Sequence, residues 1–270
     1  MRRRGIAGVA VLAALAVFAG LAAACSKRTD LAPASTASTT PAVGATNSAG
    51  PTATATASAS PSPSLNSVDR TLIRELQDAA AALPKGMANG NKLGSDTAPI
   101  KMTEFEDFQC PFCLRYTAGQ EPALIAEYVK TGKLQITYAS FPILGAESVA
   151  AAEAAQCAAD QNAFWQYHNL LFLTQARAGQ SSREQRDIGR FSDANLKQFA
   201  STLGLDRTAF DSCYDSGKYQ QLIVEQYNQA RRYGLPGTPG FVVNGTPIGT
   251  GTPATVDGWR RAFDRILAGA

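Results

Sequence analysis

The sequence predicts a mixed α/β core carrying a helical insertion. Two observations predict it. Strand-like runs are few: one at Ile100–Glu106, one from Lys133 and one pair around Asn244. Between the second and the pair lies a stretch of helical pattern from Ser148 to Tyr233. Strands separated by helices pack as a sheet covered by helices, and so long a helical block must form a subdomain of its own.

Each element has a local reason. In "VDRTLIRELQDAAAAL", Leu72, Ile73, Leu76, Ala80 and Leu83 recur at helical spacing, and Pro84 and Gly86 end the run. "APIKMTEFEDF" alternates enough to read as a strand over Ile100–Glu106. From Pro111 to Tyr128 the pattern is helical, with Leu114, Leu124, Ile125 and Tyr128 as its apolar members. "KLQITYASF" reads as the second strand. Gly204 and Gly217 punctuate the helical block, and Gly234 is a C-cap. "GFVVNGTPIGT" reads as a hairpin, because Asn244-Gly245 suits a type I′ turn. "TVDGWRRAFDRIL" closes the chain as an amphipathic helix with Trp259, Phe263 and Ile266 on one face.

The N-terminus predicts export. Arg2, Arg3 and Arg4 precede an apolar run from Ile6 to Ala24, which ends "LAAAC" at Cys25. A basic start, an apolar stretch and small residues before a cut site form a signal peptide, here residues 1–24. Cysteine directly after the small residues resembles a bacterial lipobox, which implies that Cys25 becomes the lipidated first residue. An uncleaved anchor is the alternative, since the run is long enough to span a bilayer. Both readings put the body on the outer face of the cytoplasmic membrane.

Residues 25–66 read as a tether. Of the 41 residues from Ser26 to Asn66, 33 are Ser, Thr, Ala, Pro or Gly, and none is aromatic. Such a segment buries too little apolar surface to offset its ordering entropy. As a coil it would hold residues 67–270 on the order of 35 Å from the anchor. The chain has 25 basic and 22 acidic residues, and the three N-terminal arginines supply the whole excess. A neutral body gives no support for nucleic-acid binding. Nothing in the sequence demands an oligomer, so a monomer is expected.

Five cysteines are present: Cys25, Cys110, Cys113, Cys157 and Cys213. Assigning Cys25 to lipid leaves four, enough for two pairs outside the cytoplasm. Cys110 and Cys113 stand in "FQCPFC" at a strand-to-helix junction. That puts Cys110 at the N-cap and Pro111 at the first helical position, where proline is preorganised. The free N–H groups and dipole of the helix then favour a thiolate at Cys110. The expected result is asymmetric: an exposed, reactive Cys110 and a covered, resolving Cys113. A disulfide containing a good leaving thiolate is readily attacked, which makes it oxidising.

Other readings of the pair are weaker. A zinc site needs further close ligands, and Cys157, Cys213 and the single His168 are each isolated in sequence. No metal is expected. A c-type haem needs histidine at position 114, which is Leu114. A structural staple across so small a loop would stabilise little. His168, with Trp165 and Phe172 at helical spacing, reads as a packed histidine.

"EFEDFQCPFC", the helix after it and "GLPGTPGFVVNG" resemble the thioredoxin superfamily. The block containing "AAEAAQCAADQNAFWQYHNLLF" resembles its DsbA-like branch. The resemblance spans roughly Lys92 to Ala268. It implies a thioredoxin-like fold with an inserted helical subdomain, and thiol–disulfide oxidoreductase activity. No cofactor beyond the Cys110–Cys113 disulfide is implied.

By that resemblance Cys110 is the nucleophile and Cys113 the resolving thiol. Pro239 matches a cis-proline beside the pair, and Thr238 matches the residue whose backbone meets bound peptide. Pro111 and Phe112 would join that substrate surface. Glu104 matches a buried acid that relays protons from the resolving thiol, although alternation with Glu106 leaves its facing open. Phe112 departs from strongly oxidising relatives, which often carry histidine there. Cys157 and Cys213 could be buried free thiols; an oxidising compartment favours a bridge between them. The implied partners are reduced or misoxidised exported proteins and a DsbB-like or VKOR-like membrane protein that reoxidises the pair. A reductase or isomerase on the same site is the alternative, and a non-catalytic binding module is the alternative of another class. The isomerases of this superfamily carry a folded dimerisation region, where this chain has the tether and one short helix.

Overall fold

The computed structural model describes residues 65–181, 183–248 and 253–269. The signal segment, Cys25 and the tether up to Ser64 lie outside the described residues. No helix of the described residues is long and apolar enough to cross a membrane.

Helix α1 (Ser67–Ala82) starts at Asn66, whose side chain accepts from the Asp69 N–H at 2.9 Å. A small hairpin follows, β1 (Ala88–Asn89) and β2 (Lys92–Leu93), which the sequence pattern does not announce. Then come β3 (Ile100–Glu106), α2 (Pro111–Gly119), α3 (Glu121–Leu124), one π-helical turn (Ile125–Val129) and β4 (Leu134–Ser140). The helix expected from Pro111 to Tyr128 is therefore interrupted. Pro122 lacks the N–H that would continue the ladder, so the chain restarts after Gln120.

Among the described residues, five helices separate β4 from β5: α4 (Ala146–Ala159), α5 (Phe164–Arg177), α6 (Asp193–Thr202), α7 (Arg207–Asp215) and α8 (Gln220–Arg232). Gly234 ends α8 at φ 67, with the Leu235 N–H on the Ala230 carbonyl and the Gly234 N–H on that of Arg231. That is a Schellman cap, which favours glycine because the position is left-handed. Strands β5 (Gly240–Val243) and β6 (Thr246–Pro247) turn through Asn244 and Gly245, at φ 49 and 80. Helix α9 (Val256–Leu267) is capped by the Thr255 hydroxyl.

The sheet order is β1-β2-β4-β3-β5-β6, with β3 parallel to β4 and antiparallel to β5. The central strand β3 is buried on both faces. On one face Ile100 and Met102 share a core with Ile136, Tyr138, Phe241, Leu114, Phe172 and Trp259. On the other, Phe105 packs with Ala139, Val242, Ala230 and Leu235. Glu104 and Glu106 follow Ile100 and Met102 on the strand period, so they enter the larger core. Helix α5 of the insertion contacts α2 and sets buried His168 against Phe108, Tyr138 and Phe172 of that core.

Candidate active site

Cys110 caps α2, and its Sγ accepts from the Cys113 N–H at 3.4 Å. Pro111 follows at the first helical position. The Thr238–Pro239 peptide bond is cis, and the Thr238 carbonyl oxygen accepts from the Cys110 thiol at 3.4 Å. A 250 Å³ recess on the cis-proline loop is lined by Leu235 to Phe241. One expectation is corrected here: Cys110 is not exposed. It is 3% accessible and Cys113 is 0%. The Thr238–Pro239 turn lies against the Cys110 sulfur and covers it.

The two thiols differ electrostatically. Cys110 is pulled down to about 7: the Cys113 thiol donates to it, burial opposes, and the Thr238 side chain and the N–H groups of Cys113 and Phe112 assist. Burial pushes Cys113 well up, and its donated bond and the charge of Cys110 push further. At neutral pH Cys110 is therefore the available nucleophile and Cys113 holds its proton. Phe112 is 61% exposed, with the Arg115 guanidinium 5.4 Å from its ring. Its side chain offers no donor to the Cys110 sulfur.

Beneath the pair lies a buried acidic cluster. Glu104 and Glu106 are both inaccessible, and burial holds both carboxyls well above the carboxylate range. The Tyr116 hydroxyl donates to Glu104 Oε2 at 3.2 Å. Glu121 from α3 and His168 from α5 reach the same space; donor atoms of Glu104, Glu121 and His168 lie within 4.8 Å of one another. Burial likewise raises Glu121 and lowers His168, the latter to about 4. Burial favours the protonated form of these carboxyls and the uncharged form of the imidazole. Thus the position of Glu104 is buried, and Glu106, Glu121 and His168 join it.

The turn before Cys110 is held by a second polar network. Buried Asp107 accepts from the N–H groups of Gln109, Ile143 and Leu144 at 2.7, 2.8 and 2.9 Å, and from the Ser148 hydroxyl at 2.6 Å. Gln175 donates to the Phe108 carbonyl and Gln180 to that of Gln109 at 2.8 Å. Arg190 donates to both of those amide oxygens. The insertion therefore fixes the backbone from which the nucleophile projects. Sequence reasoning missed this network; side-chain amides on helical stretches carry no pattern that marks it.

The bridge in the insertion is present: Cys157 on α4 and Cys213 on α7 form a disulfide, 56 residues apart. It lies within the helical subdomain.

This arrangement of a capping cysteine, a second cysteine one turn on and a cis-proline against the sulfur defines a thiol–disulfide oxidoreductase of thioredoxin-like fold. Comparison with known proteins agrees. A family model described as "Thioredoxin" matches residues 87–265, and the chain belongs to that family. A Bacillus anthracis relative named as a probable disulfide bond formation protein D is 26% identical over 177 residues, covering 65% of this chain and 77% of that protein. The crystal structure of oxidised BdbD from Bacillus subtilis superposes with a TM-score of 0.57 at 20% identity, covering 67% of this chain and 94% of that one. Wolbachia pipientis alpha-DsbA1 gives 0.55 at 22% identity, covering 71% and 96%.

Proposed function

We propose that this chain oxidises pairs of thiols in exported proteins through Cys110 and Cys113. A substrate thiolate attacks Cys110 of the disulfide form and makes a mixed disulfide, and Cys113 leaves. A second substrate thiolate then attacks the substrate sulfur, releasing the oxidised product and the dithiol enzyme. Thr238 and Pro239, with Pro111 and Phe112, form the surface that meets the substrate chain. A membrane protein of DsbB-like or VKOR-like chemistry restores the disulfide. The chain acts as a monomer with no further cofactor, held outside the membrane by lipid on Cys25 and the tether over residues 25–66. The observation that carries the reading is the split between the two thiols, with Cys110 drawn down to about 7 and Cys113 driven up.

A second reading, a reductase on the same site, is favoured by one observation: with Phe112 beside it, Cys110 is lowered only moderately. Equilibration with glutathione separates the two. An oxidase should show a reduction potential above about −200 mV, and a value near −270 mV would make the chain a reductase. Mass spectrometry of the mature N-terminus tests the anchor: a diacylglyceryl adduct on Cys25 is expected, and an uncleaved Met1 chain would overturn it.

A further inference from the structure

Resting on the thiol–disulfide reading, we propose that Glu106 and His168 form a buried proton store that protonates Cys113 as the disulfide opens. In this store Glu106 is the proton donor and His168 its positioning residue.

Geometry singles out Glu106 among the acids. It is the last residue of β3, four positions before Cys110, and it shares the face of Glu104. Glu104 lies two residues further down the strand, about 7 Å deeper. Glu104 is also already engaged by the Tyr116 hydroxyl. Both carboxyl oxygens of Glu106 and Nε2 of His168 lack a partner of good hydrogen-bond geometry, the Thr117 hydroxyl being near enough to Glu106 to favour its carboxylate, whereas Glu104 has only Oε1 so placed. The Glu106 and His168 groups face each other, with Nε2 3.6 Å from Oε2. That gap is too long for a direct bond but closes with a small side-chain rotation or one bridging water. Of the buried carboxyls, it is Glu106 whose charge acts on Cys113.

His168 suits a partner that changes protonation state. A neutral imidazole has one donor and one acceptor. Protonated at Nε2, it donates to a carboxyl oxygen of Glu106 as an acid and more strongly to Glu106 as a carboxylate, so its own proton never moves. Its other nitrogen, Nδ1, lies 3.1 Å from the Asn169 side-chain amide, whose NH2 end it accepts from in this tautomer. Rings of Phe108, Tyr138, Phe164, Trp165 and Phe172 surround the imidazole at centroid distances of 5.0 to 6.1 Å, an apolar cage that keeps it uncharged. The titratable groups facing the pair are Cys110, Cys113 and Tyr116 from α2, Glu104 and Asp107 from β3 and its end, Tyr138 from β4 and Glu121 from α3. None of these is basic. A lysine or arginine here would hold Glu106 as a carboxylate and empty the store.

The step balances as follows. The substrate thiolate bonds to Cys110 Sγ, the Cys110–Cys113 bond breaks, and its electron pair goes to Cys113 Sγ. The Glu106 carboxyl proton moves to that sulfur, and the new carboxylate accepts a hydrogen bond from the Nε2–H of His168, which keeps its proton. When the second substrate thiol ionises to attack the mixed disulfide, its proton refills Glu106. The substrate pair is oxidised by two electrons and the enzyme pair is reduced by two.

The test is stopped-flow reduction of the oxidised chain by a dithiol peptide from pH 5 to 9. Wild type is compared with Glu106→Gln, His168→Phe, His168→Gln and Glu104→Gln. Glu106→Gln and His168→Phe should each slow the reaction tenfold or more at pH 7 and flatten its pH profile, as loss of a positioned proton donor does. His168→Gln, which keeps a donor and an acceptor, should recover most of the rate. Glu106→Gln is isosteric, so it remains informative if His168→Phe does not fold. Wild-type pH profiles in both Glu106→Gln and His168→Phe, or a flattened profile in Glu104→Gln alone, would overturn the proposal. A wild-type protein that does not exchange at all would instead overturn the oxidoreductase reading on which it rests.

Discussion

The Sγ of Cys110 lies 3.4 Å from the carbonyl oxygen of Thr238, 128 residues away in sequence. The contact joins the first turn of α2 to the loop entering β5, so the site exists only once β3, β4 and β5 have paired. The same loop tunes the chemistry, because the Thr238 side chain helps to lower the Cys110 thiol.

Thr238→Val removes that hydroxyl and keeps the backbone. Cys110 should rise from about 7 by roughly one unit, the worth of one hydrogen bond to a charged sulfur. Alkylation by iodoacetamide at pH 7 should slow about fivefold, as the thiolate fraction falls. A rate equal to wild type would remove Thr238 from the account.

Phe112→His supplies the donor that the exposed phenylalanine lacks. Cys110 should fall by a further unit or more, and the disulfide should become more oxidising by about 30 mV for each unit. Redox titration against glutathione checks both the sign and the size.

The Cys157–Cys213 bridge closes 56 residues. In the chain-entropy model its loss costs about 4 kcal/mol. The double alanine variant should therefore unfold at clearly lower urea concentration. Its exchange rate in native buffer should be little changed, because the bridge lies within the insertion and not at Cys110.

His168 sets a pH dependence whose sign can be worked out. Its native value, about 4, lies below the ordinary 6.5, because burial opposes the charged ring. The stability that this shift contributes is full above pH 6.5 and is lost as pH falls towards 4. Wild type should therefore lose up to about 3 kcal/mol relative to His168→Phe between those values. Urea melts of both proteins at pH 7 and pH 4.5 measure it.

Much of this was legible in the sequence. "CPFC" after a strand, Thr238-Pro239 before a hairpin and Asn244-Gly245 within it are local patterns, and each imposes its geometry through only a few residues. The buried acids were harder to read. Alternation sorts residues into two faces, but β3 is covered on both, so Glu104 could not be called inward by contrast with an outward neighbour. The strand period did carry one unused signal: Glu106 must share the fate of Glu104. Two features were beyond local pattern. The covering of Cys110 depends on Thr238, and the clamp of Gln175 and Gln180 on the Phe108 and Gln109 carbonyls, held from behind by Arg190, depends on how α5 and the loop after it fold back onto α2. The β1–β2 hairpin was missed because two-residue strands show no period.

The most direct test is oxidative refolding of a reduced, disulfide-requiring protein by the oxidised chain. Wild type should restore the substrate's activity with loss of one enzyme disulfide per substrate disulfide made, and Cys110→Ser should restore none. Equal refolding by wild type and Cys110→Ser would contradict the account and leave the fold as a binding scaffold.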